Sequence, residues 1–219
     1  MDIESLRLAV YESFGQTGTA PDPGSLAATF GTTIDDVELA LRQLADGRHL
    51  VLSSTGAILM AHPFSSVPLG FSVMGSETLW WGGCSWDSFA IPHLLKTTDE
   101  VLVATRCPAC QRPHAWSVGT VKPPTGTEVA HFLVPSPHMW DNVLHTCANQ
   151  RIFCSVNCVH SWLADSGQGE GFIMDLPTLW SLAAHWYDGR MDPGYVRREP
   201  SEAQDYLRSI GLSGRFWGT

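Results

Sequence analysis

The residues best equipped for chemistry in this sequence are its six cysteines, at 84, 107, 110, 147, 154 and 158. Cys84 lies in the segment Trp80-Trp81-Gly82-Gly83-Cys84-Ser85-Trp86-Asp87-Ser88-Phe89-Ala90-Ile91-Pro92, which sets a thiol three residues before a carboxylate. At a strand-to-helix junction, Cys84 and Asp87 share one face of the first helical turn, and the helix N-terminus favours a thiolate. A reactive pair is feasible. A buried Cys84 beside a helix-capping Asp87 fits the same spacing, and an isolated Cys-x-x-Asp leaves both readings open.

Four further cysteines form two spaced pairs. Cys107-Pro108-Ala109-Cys110 is a Cys-x-x-Cys turn, and Cys154-Ser155-Val156-Asn157-Cys158 precedes a helix containing Trp162. One pair on a knuckle between strands and one at a helix start are what a tetrahedral four-thiolate zinc site requires. The phrase Phe153-Cys154-Ser155 with Cys158 and Trp162 also looks like the second half of a treble-clef zinc module. The other reading is four buried thiols without metal, with Cys107 and Cys110 as a redox pair. Four structural cysteines would leave Cys84 and Cys147 outside the cluster. The histidines at 93, 131, 138, 145, 160 and 185 are scattered, and only His145, two residues before Cys147, is placed to tune a thiol. Trp80, Trp81 and Trp86 flank the first motif and either wall an apolar pocket or fill a core.

The elements that must position these residues divide the chain in two. Residues 1–62 read as helix, helix, helix, hairpin. Ile3, Leu6, Val10 and Phe14 form one apolar stripe, and Ser25 can cap a short helix through Phe30. Thr32 or Thr33 can cap a helix with Ile34, Val37, Leu41 and Leu44 on one face, ended by Gly47. Val51–Leu52 and Ala57–Met60 flank a turn. This is a winged helix-turn-helix pattern, but the helix that would enter a DNA groove begins with Asp35, Asp36 and Glu38. Phosphates would repel it, so a packing role is expected. Residues 63–219 alternate strand-like runs (71–74, 78–81, 101–105, 115–118, 129–135) with helical segments (85–95, 139–146, 156–165, 176–187). The predicted class is α+β with a mostly antiparallel sheet and flanking helices. The polar tail from Pro193, with one helical pattern over Ser201–Ile210, is expected either to pack loosely or to cover a site.

Composition narrows the function. The apolar share of 44% is that of an ordinary globular domain. A net charge of −9 disfavours broad nucleic-acid binding, which depends on Lys and Arg neutralising phosphates. Asp2 and Glu4 occupy the place of a basic leader, and no run reaches the roughly 18–20 apolar residues of a membrane span. A cytoplasmic protein without membrane association is expected, in a reducing compartment where cysteines serve metals or catalysis more often than disulfides.

An aromatic strand ending in Cys84-x-x-Asp87, followed by an apolar helix with Pro92, resembles the organomercurial (alkylmercury) lyases. Cys147-Ala148-Asn149-Gln150-Arg151-Ile152-Phe153-Cys154-Ser155, followed by Trp162, matches the segment that carries the family's second thiol. The resemblance runs from about residue 3 to about residue 190 and extends to the winged-helix-like start. It implies an enzyme that cleaves carbon–mercury bonds by protonolysis, with Cys84, Asp87 and Cys147 as the catalytic set. Mercury(II) is a soft ion matched by thiolates, so Cys84 and Cys147 would bind it and retain it as product until an external thiol removes it. Asp87 would collect a thiol proton and deliver it to carbon. No organic cofactor is implied; cellular thiols and a mercuric reductase are the implied partners. The better-known lyases have a lone structural cysteine at the position of Cys107 and no zinc. That departure, with the Gly82-Gly83 neighbourhood, keeps the alternative of a lyase-fold relative with another thiol-dependent activity, and the winged-helix pattern with metal-sensing cysteines keeps that of a metal-binding or metal-responsive protein.

Overall fold

A computed structural model describes residues 1–219. Three helices open the chain. In α1 (Ile3–Thr17) the Asp2 carboxylate accepts from the Ser5 N–H, and Gly18 ends the helix in the left-handed region at φ 73°. A Cβ at Gly18 would stand 2.0 Å from the Leu79 carbonyl oxygen, so only glycine lets the turn lie against the sheet. α2 (Pro23–Phe30) begins two residues before the expected Ser25 cap. The Asp22 carboxylate takes the Ser25 N–H instead, and Pro23 fits a first turn that needs no N–H donor. α3 (Ile34–Asp46) starts at Thr33 with a capping box to Asp36, and buries Val37, Leu41 and Leu44.

Seven strands then build one antiparallel sheet: β1 (Val51–Leu52), β2 (Ile58–Ala61), β3 (Phe64–Ser65), β4 (Phe71–Met74), β5 (Leu79–Gly82), β6 (Val101–Arg106) and β7 (Pro113–Val118), in the order β1-β2-β3-β5-β4-β6-β7. Along β6 burial alternates, with Val101, Val103 and Thr105 inward and Leu102 outward, as a strand with one covered face requires. The Ile58–Ala61 and Phe64–Ser65 strands, on either side of position 62, are neighbours in this sheet. Most of the core is one cluster of buried residues reaching from Leu6 through the sheet to Trp217. A second antiparallel sheet, β10-β8-β9, comprises β8 (Val129–Phe132), β9 (Gln150–Phe153) and β10 (Phe172–Asp175).

The helix that matters most is α4 (Ser85–Leu95). Every residue from Ser85 to Pro92 is buried. A helix apolar all round needs cover on every side, and it has the large sheet along β3 to β6, β9, and α7 (Leu176–Ala184). The segment expected to be helical over 139–146 is a 3₁₀ turn at Ser136–His138 followed by α5 (Val143–Ala148), because the Asn142 side chain accepts the His145 N–H and restarts the chain as a capped helix. α6 (Val156–Ser166) and α8 (Pro200–Ser209) complete the chain. The tail is packed rather than loose: Leu207, Leu212 and Trp217 are buried, and Trp217 meets Phe132 and Phe172 at ring separations of 6.0 and 5.2 Å.

The irregular stretch after α7 is tied to α1. Arg7, almost fully buried, donates to the Arg190 carbonyl and, at 2.9 Å, to that of Asp192. Glu4 pairs with Arg7 at 2.7 Å and accepts the Gly194 N–H at 2.8 Å. These contacts satisfy a buried guanidinium, without which its burial would be costly. No helix is long and apolar enough to cross a membrane.

Candidate active site

β5 ends at Gly82, and two residues later Cys84 caps α4. The Cys84 Sγ accepts the Asp87 N–H at 3.4 Å and donates to Asp87 Oδ2 at 3.2 Å. The approach needs glycine at 83, where a Cβ would fall 2.5 Å from Asp87 Oδ2 and 2.2 Å from Met60 Cε. At Gly82 a Cβ would fall 2.1 Å from Ser88 Oγ, a hydroxyl that donates to the Cys84 carbonyl at 2.6 Å. Those two glycines let the strand end crowd the first turn of α4.

Cys147, in α5, brings its Sγ to 4.0 Å from the same Asp87 Oδ2. The two thiols and the carboxylate singled out in the sequence thus share one centre, although 60 residues separate Cys147 from Asp87. All three are at most 4% exposed. The other four cysteines gather elsewhere, at the β6–β7 turn and the start of α6, with their sulfur atoms all within 4.8 Å of one another.

Three residues complete the centre that sequence spacing did not indicate. Tyr187 donates its hydroxyl proton to Asp87 Oδ1 at 2.5 Å. His62 sets its Nε2 3.7 Å from Cys147 Sγ. Arg190, buried, donates to the His62 carbonyl at 3.2 Å and lies 4.8 Å from the centroid of the Tyr187 ring. His145, the expected neighbour of Cys147, is exposed, and its ring meets the Asn149 amide instead. Its helical position two residues from Cys147 turns it away, since neighbours on a helix face are three or four apart. Of the three tryptophans, Trp86 lines the cavity and meets Trp186 in a tilted contact with ring centroids 4.8 Å apart, whereas Trp80 is a core residue whose indole N–H is held by the Phe14 carbonyl at 2.9 Å.

Burial decides the charge states. It raises Asp87 from 3.8 to about 6 against the hydrogen bonds from Tyr187 and Cys84 and the field of Arg190, all of which favour the carboxylate. Burial likewise pushes the Cys84 thiol well above its ordinary value, with Cys147 and the Asp87 charge adding to it. For Cys147 the contact with Cys84 works downward, but burial and Asp87 leave the thiol raised. The expected helix-end thiolate is therefore overruled: removing sulfur from water costs more than one helix terminus returns. His62 falls to about 3, through burial first and then the charges of Arg190 and Arg197, and is neutral. At neutral pH the centre is two protonated thiols around one ionised carboxylate, with a neutral imidazole beside them.

The centre opens into a cavity of about 770 Å³ lined by Cys84, Asp87, Cys147, Trp86, Trp140 and residues of the stretch after α7. A soft metal carrying an apolar group would meet thiols at its floor and indole along its wall.

The alkylmercury lyase family model matches residues 64–188, a span holding both thiols, Asp87 and Tyr187. The fold is similar to that in the crystal structure of the mercury-bound form of MerB2, with a TM-score of 0.63 and 19% identity over 83% of this chain and 87% of that one. A comparison with curated proteins finds no match. The family's match thus covers more than half of the chain, and with the mixed helical and antiparallel architecture shared with that solved structure, this protein belongs to the alkylmercury lyase family.

Proposed function

We propose that the protein cleaves carbon–mercury bonds by protonolysis, with Cys84 and Cys147 as mercury ligands and Asp87 as the proton carrier. The observation that carries this reading is the single carboxylate oxygen, Asp87 Oδ2, at 3.2 Å from one thiol and 4.0 Å from the other. An organomercury compound arrives with a thiolate on its metal. Two sulfur–mercury bonds form, to Cys84 and Cys147, and the mercury–carbon bond and the bond to the arriving thiolate break. Of the two cysteine protons, one leaves with the displaced thiolate as free thiol. The other passes to Asp87 and then to carbon, which departs as the hydrocarbon. Mercury(II) stays on the two cysteines until external thiols remove it.

The charge states suit each step. Protonated thiols release their protons only as the metal binds, and an acid near 6 is basic enough to take one yet acidic enough to return it to a developing carbanion. Tyr187 holds the carboxylate through its other oxygen, leaving Oδ2 turned to the sulfurs.

Cys107, Cys110, Cys154 and Cys158 are proposed as a structural zinc site. A tetrahedral ion with zinc–sulfur bonds of about 2.3 Å sets its sulfurs about 3.8 Å apart, and the observed upper limit of 4.8 Å with one separation of 3.3 Å brackets that value. His114 stands behind the site, with Nε2 3.3 Å from Cys154 Sγ and Nδ1 3.3 Å from Glu128, the outer-shell arrangement that fixes a ligand's orientation. This cluster would join the β6–β7 turn to β9 and α6.

The reaction is tested by incubating reduced protein with phenylmercury and excess thiol and following benzene by gas chromatography. Release that is lost in Asp87→Ala and Cys147→Ser supports the assignment. Benzene no higher than in thiol alone, from folded protein, overturns it.

A further inference from the structure

The cavity above the thiols has a charge character opposite to that of the chain. The sequence holds 13 Lys and Arg against 22 Asp and Glu, yet the cavity is lined by four arginines, Arg48, Arg190, Arg197 and Arg198. Two of these are spoken for. Arg190 is held by His62 and Tyr195, and Arg198 donates to the carbonyls of Trp186 and His185. Arginine ion pairs in this protein are Arg7–Glu4, Arg42–Glu38 and Arg208–Asp205, so Arg48 and Arg197 pair with no acid. Of the cavity's acids besides Asp87, Asp141 pairs with His138 at 3.0 Å, and Glu199, the residue that caps the start of α8, forms no ion pair with any of the four arginines.

Both free guanidiniums stand on one indole. Arg48 lies 5.6 Å and Arg197 5.0 Å from the centroid of the Trp140 ring, and the His62 ring lies 5.6 Å from that same ring. Trp140 therefore spans from the pair of cations to the imidazole that touches Cys147. Two like charges held together on one ring repel each other. Burial and the charges of Arg190 and Arg48 act to pull Arg197 below its ordinary value. An anion bound beside the two unpaired guanidiniums relieves the repulsion between them.

Resting on the lyase reading above, we propose that Arg48 and Arg197, on their Trp140 platform, form a carboxylate-binding subsite that selects organomercury compounds presented with an anionic arm. The carboxylate can be borne by the thiol that accompanies the mercury or by the organic group itself; both put the anion a short reach from a metal seated on Cys147. The focused positive potential would also draw such compounds into a protein whose overall charge of −9 repels them.

The test compares kcat/KM for hydrocarbon release in two arms at low ionic strength. In one, phenylmercury is delivered with mercaptoacetate or with neutral 2-mercaptoethanol. In the other, 4-carboxyphenylmercury is compared with phenylmercury, both in 2-mercaptoethanol. We expect the charged compound of at least one arm to be favoured roughly tenfold through KM, the effect of a half-desolvated charge-assisted contact. Which arm responds identifies the source of the carboxylate. The preference should shrink in 0.5 M salt and collapse toward unity in Arg48→Gln/Arg197→Gln, while Arg42→Gln, outside the cavity, keeps it. Equal kcat/KM within both arms overturns the subsite and leaves the lyase reading standing. If no arm releases hydrocarbon, the lyase reading fails. The subsite is then judged by tryptophan-fluorescence titration of the Asp87→Asn protein with the two arylmercury compounds in 2-mercaptoethanol: tighter binding of the carboxylated compound upholds it, and equal affinity refutes it.

Discussion

Asp87 is held in a state that folding opposes, and Asp87→Asn should expose the cost. Burial raises its carboxyl from 3.8 to about 6. Below about pH 3 the acid is protonated in both the folded and unfolded chains. As pH rises, the unfolded chain ionises first, so stability is lost until pH passes the folded value near 6. A difference of about two units corresponds to about 3 kcal/mol at pH 8. The amide is never charged and is well accommodated: its oxygen can accept from the Tyr187 hydroxyl and its nitrogen can face Cys84 Sγ, the contacts made now at 2.5 and 3.2 Å. In a chain of this size the variant should melt roughly 6–12 °C above the parent at pH 8. The gain should fall to about half by pH 5 and to about a fifth by pH 4, vanishing near pH 3. Parallel thermal unfolding of both proteins by circular dichroism between pH 5 and 8 measures it, and the effects of all other titrating groups cancel in the difference. A variant no more stable at pH 8, or a difference that does not change with pH, would refute the argument that a desolvated charge sits at this centre.

Tyr187→Phe removes a hydrogen bond to the same carboxylate, worth about 1.5–3 kcal/mol to its charged form. In the proposed reaction Asp87 takes the thiol proton only when ionised, so the acid limb of the kcat/KM profile for benzene release should move from about 6 upward by about one to two units; an unmoved midpoint would show that Tyr187 does not tune Asp87. Metal analysis of protein produced with zinc should give about one zinc per chain, lost together with thermal stability in Cys110→Ser and Cys158→Ser. Zinc-free protein with full stability would leave those four residues as ordinary thiols.

The parts of this molecule that were legible in the sequence are those set by neighbours along the chain. Helix α4 runs from Ser85 to Leu95 and strand β4 from Phe71 to Met74, as the local patterns predict. The Cys84–Asp87 contact follows from a three-residue spacing on one helical turn. The gathering of four cysteines follows from two tight pairs, each fixed by its own turn or helix start. What escaped is what folding brings together from afar. Tyr187 meets Asp87 across 100 residues and His62 meets Cys147 across 85, with no periodicity to mark either. The strand at Phe64–Ser65 is too short to show a period of two, and in Phe172–Asp175 three apolar residues in a row hide any alternation. The thiol charge state was misjudged for the same reason, since a helix end is visible locally whereas desolvation by distant elements is not.

The Arg7 clamp has a bearing on the order in which the protein takes shape. Its bonds to the carbonyls of Arg190 and Asp192 join positions 183 and 185 residues apart. Contacts of such sequence separation come late, because the long loop must be closed before they repay the entropy. At about 5–20 residues per second, translation delivers the cavity wall around Arg190 roughly 5–20 seconds after Cys84. During synthesis the two thiols are thus present before their enclosure is, and α1 is kept waiting for the wall it will latch. A nascent chain meeting a soft metal in that interval would bind it on open sulfurs with Asp87 already beside them, but before Tyr187, Arg190 and Arg197 had closed the cavity around the centre.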